Sequence, residues 1–550
     1  MTGSAERPTI SLGSYATDVT DALTRLEKEA VVQRIWSGDH TVWRDDPAEI
    51  ENRLGWLHTD GDMKRELDTL RTFGGNVRDG GFQDVVLLGM GGSSLGPEVI
   101  RASIGSAGGF PELTVLDSTV PARVRSVTQA IDPARTLFIV SSKSGTTIEP
   151  NVLYKHFRGV VADAVGEGAG DHFVAVTDAG TPLASLAATD GFRRLFESRS
   201  DIGGRYSVLT HFGLVPAAAI GVDIARLLER ANDMAARCDA ALDVPSNPGA
   251  WLGAMLGALA LKGRDKLTIV ASPSVLSIGL WIEQLIAEST GKDGTGIVPV
   301  AGEPVGSPGD YGDDRVFVYL RVSGDDNASL DVATERLAGA GHPLVQLVLS
   351  DAYDIAAEFF RWEFATAVAG AILGVQPFDQ PNVQAAKDAT GRVLETFGSA
   401  KAPPDAPPAG SAKELLAGAK PGDYLAVMAY VPQSTGVDAA AAALRKRVME
   451  RHKIATTFGY GPRFLHSTGQ LHKGGPDTGL FLQLTYEGGD ADGSDVAIPG
   501  SDFGFRTLVA AQAQGDFEAL VAAGRRVARI DVSPDAEAGI LRLLAELPTG

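Results

Sequence analysis

A turn rich in hydroxyl groups, residues 141–149, has a composition suited to chemistry. It follows the apolar run 136–140 and precedes residues 150–158, which can form a helix. A strand, a turn and a helix N-terminus in this order place free backbone N–H groups and a positive dipole end beside several hydroxyls and Lys143. The turn therefore predicts an anion-binding site. The alternative is an ordinary N-capped helix, because Ser and Thr are favoured caps.

A second turn, residues 89–98, is rich in glycine and follows the buried-strand pattern of residues 84–88. Glycines between a strand and a helix let the backbone approach a phosphate closely. The turn matches the dinucleotide-binding fingerprint only weakly, because Ser94 stands where the last glycine belongs. Ser93 and Ser94 at the helix entry suit a monophosphate better than a pyrophosphate.

Two charged residues farther along the chain stand in patterns that suggest catalysis. Two glycines at 203 and 204 predict a tight turn that projects Arg205 from a fixed backbone, although most arginines are simply exposed. Glu288 ends a helical segment at a glycine-rich stretch, with Gln284 one turn earlier on the same face. Glu288 is a candidate base, and the alternative is a solvated helix glutamate.

The loop 461–473 holds two histidines, His466 and His472. They have the ligand type for a metal, but no Asp or Glu lies close to them in sequence, so a metal site is not expected. The single cysteine, Cys238, excludes an internal disulfide and suits a reducing cytoplasm. It lies in an alanine-rich helical segment, which favours a buried thiol over a nucleophile.

The elements that must position these residues alternate between strand and helix. This alternation predicts doubly wound parallel sheets, an α/β fold. Ligands in such sheets bind beyond the carboxyl ends of the strands. Both hydroxyl-bearing turns lie at those ends, and we expect them to face one crevice. A second α/β unit follows, with a strand at 267–271 and a helix at 278–288.

Composition narrows the function classes. The chain has 550 residues, 44% of them hydrophobic and 21% charged, as in soluble globular proteins of several domains. The net charge of -20 makes nucleic acid and anionic membranes unfavourable partners. The N-terminus lacks the apolar core of a signal peptide, and the apolar runs 250–261 and 364–376 are too short and too rich in Ala and Gly for a membrane span. We therefore expect a cytoplasmic protein.

The pattern predicts five regions along the chain. These are an N-terminal helical region (1–78), a first α/β domain that binds phosphate (79–240), a second α/β domain (241–397), a linker or exposed loop rich in Pro, Ala and Gly (398–422), and a C-terminal α/β part that completes the second domain (423–550).

Taken together, these blocks resemble the glucose-6-phosphate isomerase (phosphoglucose isomerase) family, whose fold is two sugar-isomerase (SIS) domains. The matching stretches, in family order, are residues 89–97, 142–149, 203–207, 284–292, and 378–380 followed by Lys387. Each is weak alone, whereas the ordered set is specific. The C-terminal part is most similar to the isomerase half of transaldolase–phosphoglucose isomerase fusions, with no transaldolase portion expected upstream.

The resemblance implies reversible isomerisation of glucose 6-phosphate and fructose 6-phosphate, through ring opening and a cis-enediol, in glycolysis and gluconeogenesis. It implies a homodimer that needs no cofactor and no metal. Glu288 would move the proton between C2 and C1, Arg205 would stabilise the enediolate, and Lys387 with a histidine would open the ring. The residues implied to contact substrate are Gly92, Ser93, Ser142, Lys143, Ser144, Thr147, Gln284 and Gln380.

The histidine is a departure from the family's order. In the family it follows the glutamate shortly, precedes the lysine and comes from the neighbouring subunit. Here the first histidine after Glu288 is His342, whose surroundings do not match, whereas residues 465–470 do. We therefore expect His466 in this role, with His342 and His472 as alternatives, and a rearranged order of segments in the second domain.

Two other functions stay open from sequence alone. A non-catalytic sugar-phosphate sensor would need the phosphate turns, but it would not need Glu288, Arg205 and Lys387 together. An isomerase that also accepts mannose 6-phosphate is the other alternative, because side-chain placement decides which C2 configuration is read.

Overall fold

The computed structural model describes residues 9–398, 409–486 and 495–548, without the side chains of residues 60, 383–387 and 396–398. The described chain begins with a short strand and a set of helices. These are β1 (Thr9–Ser11), α1 (Ala16–Lys28), α2 (Val31–Trp36), α3 (Thr59–Arg65) and α4 (Leu67–Asp79). Helix α1 buries Val19, Leu23 and Leu26, which share one face at helical spacing.

The first domain is a parallel sheet with helices packed around it. Its strands are β2 (Asp84–Gly89), β3 (Glu112–Leu116), β4 (Thr136–Ser141), β5 (Phe173–Asp178) and β6 (Arg194–Ser198), in the order β3-β2-β4-β5-β6. Its helices are α5 (Leu95–Ile104), α6 (Pro121–Ala130), α7 (Ile148–Val165), α8 (Pro182–Thr189), α9 (His211–Ala219) and α10 (Ile224–Arg237). The strand order reverses between β2 and β4, whose carboxyl ends open the crevice typical of this topology.

The second domain repeats this plan. Its strands are β7 (Lys266–Ala271), β8 (Val298–Ala301), β9 (Arg315–Val322) and β10 (Leu344–Leu349), in the order β1-β10-β9-β7-β8, with β1 antiparallel at one edge. Its helices are α11 (Pro248–Leu261), α12 (Ile278–Thr290), α13 (Ala328–Gly339), α14 (Ile355–Leu373) and α15 (Pro381–Gly398). Two parallel α/β domains behind an N-terminal helical region confirm the predicted fold class.

The C-terminal part, which we call the C-terminal unit, forms a third sheet. Its strands are β11 (Tyr424–Tyr430), β12 (Ala455–Tyr460), β13 (Gly479–Thr485) and β14 (Arg526–Asp531), all parallel, in the order β12-β11-β13-β14. Its helices are α16 (Ala412–Ala417), α17 (Thr435–His452), α18 (Gly469–Gly474), α19 (Phe505–Ala522) and α20 (Ala536–Glu546). The described strands pair with one another and bury one core on α17 and α20, while the other face of the sheet shares a core with α12 and β8 of the second domain. That this part completes the second domain stays a prediction.

The segment expected to be a linker is partly built into this unit. Helix α16 lies within residues 398–422, where Ser411 caps its N-terminus and Leu416 is buried. Ala409 pairs with Arg529 of β14. The apolar side chain and the cap explain why this stretch packs, while residues 399–408 lie outside the described part of the chain.

Helix α12 lies at the centre of the molecule. Nearly every one of its residues is buried, and it packs against α5, α14 and α18, which belong to the first domain, the second domain and the C-terminal unit. A helix enclosed on all sides cannot tilt or slide without disturbing three cores. It therefore offers a rigid mount for Gln284 and Glu288. Among the described helices, none is both long and apolar enough to cross a membrane.

Candidate active site

A cleft of about 480 Å³ lies at the carboxyl ends of the first sheet, where it meets α12 and the C-terminal unit. Ten of the twelve residues that the sequence predicted for the site surround it. The ten are Gly92, Ser93, Lys143, Ser144, Thr147, Arg205, Gln284, Glu288, Gln380 and His466. Residues from separate stretches of sequence are thus brought into one crevice, at the place expected for a ligand of an open α/β sheet.

The hydroxyl-rich turn forms one wall of the cleft. Thr147 is the N-cap residue of α7, and its side chain makes no cap hydrogen bond to a described residue. The first N–H groups of α7 therefore keep their capacity to bind an anion. The Oγ of Ser142, a buried residue, donates to the Oγ1 of Thr147 over 3.2 Å, and Ser144 Oγ lies 2.9 Å from Thr146 Oγ1. Hydroxyls and N–H groups together suit a phosphate.

Lys143 does not face the cleft as a free cation. Its Nζ contacts the carboxylate of Asp178 and donates to the carbonyl of Ser200 over 3.2 Å. Burial lowers the pKa of Lys143, against the effect of Asp178, which raises it. The positive potential that Lys143 contributes beside the turn is therefore reduced.

Glycines allow the second turn to approach the loop that carries Arg205. A Cβ on Gly92 would lie 1.9 Å from the carbonyl oxygen of Gly204, and a Cβ on Gly91 would lie 2.7 Å from the carbonyl oxygen of His466. The backbone of Gly91 has φ +54, in the left-handed region that favours glycine. The glycines of the fingerprint-like stretch thus serve loop packing, and Ser93 is held beside Arg205.

Arg205 and Glu288 face each other across the floor of the cleft. Arg205 Nη1 lies 3.5 Å from Glu288 Oε1, and both side chains are buried. The rest of the guanidinium is fixed, because Nε donates to Ser289 Oγ over 2.8 Å and Nη2 donates to the carbonyl of Pro377 over 2.6 Å. One N–H edge therefore remains directed at Glu288 and the cleft, which is the arrangement needed to stabilise an oxyanion beside a carboxylate base.

Gln284 connects the base to the loop of His466. Its Nε2 donates to Glu288 Oε2 over 3.1 Å and to the carbonyl of His466 over 2.8 Å. Because both bonds come from one amide on a rigid helix, the carboxylate and the histidine loop are held in a fixed relation.

His466 reaches the cleft from the same chain as Glu288. Its Nε2 lies 2.9 Å from Glu149 Oε1, and Gln512 Nε2 donates to that same oxygen over 2.7 Å. Gln512 in turn accepts from Thr119 Oγ1 over 2.7 Å. A histidine oriented by a buried carboxylate is equipped to transfer protons.

Lys292 and Asp379 fix the turn that brings Gln380 to the cleft. Lys292 Nζ donates to Asp379 Oδ1 over 2.5 Å and to the carbonyl of Gln376 over 2.8 Å. Burial, with Arg205 nearby, lowers the pKa of Lys292 to about 8. Because the buried amine of Lys292 bonds to several acceptors in one turn, it restricts the movement of that turn.

Three functional contacts were not predicted from sequence. Glu149 stands in the matched turn, and its place in the first turn of α7 was the available signal. Lys292 ends the stretch that contains Glu288, but its link to Asp379 was not foreseen. For Gln512 the sequence holds no signal, because it lies in an alanine-rich helix 363 residues from Glu149.

The remaining expected residues lie elsewhere. Lys387 falls on α15, but its side chain lies outside the described residues. His342 packs against Tyr311 and Phe317 in the second domain, with Nε2 3.1 Å from the carbonyl of Pro308. His472 is buried in the C-terminal unit and does not line this cleft.

Burial raises the pKa of the Cys238 thiol to about 12, as befits a packed side chain rather than a nucleophile. Among the described residues, no group of three or more His, Cys, Asp or Glu side chains is placed to hold a metal ion.

The chain is similar in sequence to known isomerases. The family model for phosphoglucose isomerase matches residues 59–295. The glucose-6-phosphate isomerase of Rubrobacter xylanophilus is 30% identical over 435 residues, which are 68% of this chain and 95% of that protein. The glucose-6-phosphate isomerase of Symbiobacterium thermophilum is 32% identical over 383 residues, which are 60% of this chain and 85% of that protein.

Solved structures share the fold. A glucose-6-phosphate isomerase from Chlamydia trachomatis superposes with a TM-score of 0.60 at 18% identity, covering 69% of this chain and 86% of that one. A hypothetical protein from Thermus thermophilus gives a TM-score of 0.60 at 24% identity, covering 70% of this chain and 100% of that one. The sequence match to the Rubrobacter protein spans nearly all of that relative, and on this ground the chain belongs to the glucose-6-phosphate isomerase family.

Proposed function

We propose that this protein interconverts glucose 6-phosphate and fructose 6-phosphate, a step of glycolysis and gluconeogenesis. The observation that carries the proposal is the meeting of Glu288, Arg205 and the hydroxyl-rich turn in one cleft. An aldose–ketose isomerase needs a carboxylate base, a fixed cation for the enediolate and an anchor for the phosphate, and the cleft offers all three.

In this proposal the phosphate binds at the N-terminus of α7. Ser93, Ser144 and Thr147 donate from their hydroxyls, together with backbone N–H groups, and Ser142 supports Thr147 from behind. Lys143, paired with Asp178, contributes less than a free lysine would. Gly92 lets the turn after β2 approach the loop of Arg205 closely. The unreactive end of the sugar is thereby fixed.

The chemistry then occurs at the other end of the cleft. His466 and Lys387 open the pyranose ring by moving protons at O5 and O1. Glu288 removes the proton from C2 and returns it to C1, or the reverse, on one face of a cis-enediol. Arg205 Nη1 stabilises the charge on the enediolate oxygen, an effect typically worth about 3–4 kcal/mol. Gln284 and Gln380 contact the sugar between the two ends.

We also propose that the protein is a cytoplasmic homodimer in which each chain carries a complete site. The buried single cysteine suits a reducing compartment. His466 and Glu288 of the same chain line the same cleft, which supports a site built from one chain.

A coupled assay tests the function directly. With fructose 6-phosphate, the wild type should form glucose 6-phosphate, and Glu288→Gln should lose about 1,000-fold or more in kcat, because an amide cannot take the proton. The control is Glu335→Gln on the exposed surface of α13, which should keep the wild-type rate. An inactive wild type that still binds the sugar phosphate would favour a sensor instead, and mannose 6-phosphate can be offered in the same assay.

A further inference from the structure

A second cavity, of about 310 Å³, lies on another side of α12 from the cleft. The C-terminal unit closes it with β11, β12 and the loop that follows β12, while α12 supplies Leu280 and Glu283. Glu283 precedes Gln284 in sequence but points elsewhere, because successive helical residues are rotated by about 100°. We call this space the Glu283 cavity. An adjoining cavity of about 400 Å³ reaches the same carboxylate and shares Leu280, Glu283 and Phe458 with it.

Glu283 is a buried carboxylate without a counter-ion. Its side chain is 8% exposed, and its hydrogen bond to a described residue is a long one of 3.3 Å, from the N–H of Ala301 to Oε1. No described Lys, Arg or His lies within ion-pair distance of it. Burial raises its pKa to about 8. The charged form is costly in the interior without a partner, so Glu283 keeps its proton at neutral pH until a cation pairs with it.

The cations near Glu283 are engaged elsewhere. Arg445 on α17 lowers the Glu283 pKa from a distance, but it donates to the carbonyls of Ala301, Gly302 and Thr456 over 2.8, 2.9 and 2.7 Å. Arg463 in the cavity wall is held by both carboxylate oxygens of Asp117, over 2.7 and 2.8 Å.

Two other polar groups of the wall, Tyr460 and Asp438, bond to each other, whereas Gln433 Nε2 and His472 Nδ1 have no hydrogen-bond partner in the described structure. The Tyr460 hydroxyl donates to Asp438 over 2.6 Å. His472 is 3% exposed, its Nδ1 has no hydrogen-bond partner in the described structure, and burial lowers its pKa well below the ordinary value. His472, a neutral imidazole with one unpartnered nitrogen, therefore lines the same cavity as Glu283.

The rest of the wall is largely apolar, with Leu95, Leu280, Val427, Met428, Phe458 and Phe464, and it also carries the polar side chains of Gln433, Asp438, Thr457, Ser467 and Thr468. A largely apolar chamber with two carboxyl groups, Glu283 and Asp438, and one unpartnered imidazole nitrogen complements a cation that carries a hydrocarbon body. It does not complement a sugar phosphate, which would meet the carboxylate with like charge. The volume is at the lower end of the range for small-ligand sites.

We propose that the Glu283 cavity binds a small organic ammonium, a primary amine with a short apolar body, with Glu283 as its counter-ion and His472 as a second acceptor. The site is separate from the proposed isomerase chemistry and does not depend on it. Ser467 and Thr468 line the cavity immediately after His466, so an occupant would contact the loop that carries the histidine of the cleft.

Binding of benzylammonium, measured by calorimetry, tests the site. An alkylammonium stays charged at neutral pH, since the comparable lysine pKa is about 10.4. Glu283 must lose its proton to pair with it, and so binding should release about one proton at pH 6.5 and tighten about tenfold per pH unit between pH 6 and 7. Benzyl alcohol, the neutral analogue, should release none and bind with no dependence on pH.

Glu283→Gln should weaken benzylammonium binding at least about tenfold at pH 7.5 and leave benzyl alcohol binding unchanged. Glu335→Gln on α13 is the control and should bind the amine like the wild type. Amine binding that Glu283→Gln retains, or the absence of binding to the wild type at about 10 mM, would overturn the proposal. If Glu283→Gln does not fold, the number of protons released on benzylammonium binding to the wild type decides, because binding without proton release also contradicts the proposal.

Discussion

At the scale of single residues, the proposed chemistry depends on pairs of side chains rather than on isolated groups. Glu288 is set by Gln284 and Arg205, and His466 is set by Glu149. Each pair joins a group proposed to move protons with a buried partner that fixes its direction. Residues that act as a unit give rate effects that do not add. The pair His466 and Glu149 therefore offers a direct test of this dependence.

We expect His466→Gln to lower kcat by about 100-fold or more, as for loss of a general acid–base group. Glu149→Gln should lower it by about tenfold, because the imidazole loses its orienting carboxylate. The double variant should be no slower than about the His466 variant alone, since the carboxylate acts through the histidine. Steady-state kinetics of the wild type and the three variants gives a double-mutant cycle. Additive effects of the two substitutions on kcat would place Glu149 in an independent role.

At the scale of elements, loops that approach closely bring the site together. The turn after β2 and the loop of Arg205 meet at Gly92 and Gly204. A methyl group added to Gly92 would have no space, whereas one added to Gly204 would have ample space. These two glycines are a matched pair for testing whether the approach matters.

Gly92→Ala should lower the free energy of unfolding by about 1–3 kcal/mol, as overpacking does, and raise KM for fructose 6-phosphate, because the turns must separate. Gly204→Ala should have a much smaller effect, since a Cβ there meets no described atom within 4 Å. Thermal unfolding and kinetics of both variants measure this. Equal effects of the two substitutions would show that the contact does not set the site.

The turn around Asp379 yields a prediction about pH. The pKa of Lys292 is about 8 in the folded chain and about 10.4 when unfolded, so unfolding takes up a proton between these values. Stability linked to Lys292 therefore rises as pH rises from 8 to 10. The free energy of unfolding of the wild type, measured with urea, should rise by about 2–3 kcal/mol more than that of Lys292→Met between pH 8 and 10. A difference that stays constant from pH 8 to 10 would contradict the assignment.

At the scale of the whole molecule, the sequence predicted the two parallel domains and most of the cleft. Strand composition and the turns after β2 and β4 sufficed, because those features are local. The third sheet was not predicted, since strands of similar composition do not reveal which strands they pair with. His466 and Glu149 are 317 residues apart in sequence, and no local pattern links them.

The third sheet places His466 in its own chain's cleft, and mixing inactive variants tests this arrangement. If each chain holds a complete site, an equal mixture of refolded Glu288→Gln and His466→Gln chains should remain as inactive as its components. If the histidine crossed to a neighbouring subunit, mixed dimers would regain about a quarter of the wild-type rate, since half the dimers would hold one intact site. Recovery of that size would reject a site built from one chain.

Proton exchange with solvent tests most directly whether Glu288 carries the proton between C1 and C2. Wild-type enzyme turning over fructose 6-phosphate in deuterium oxide should place deuterium at C2 of glucose 6-phosphate, because a carboxylate base exchanges its proton with water during the enediol stage. Glu288→Gln should show neither isomerisation nor deuterium incorporation by NMR. Deuterium incorporation at the wild-type rate in Glu288→Gln would show that another group carries the proton between C1 and C2.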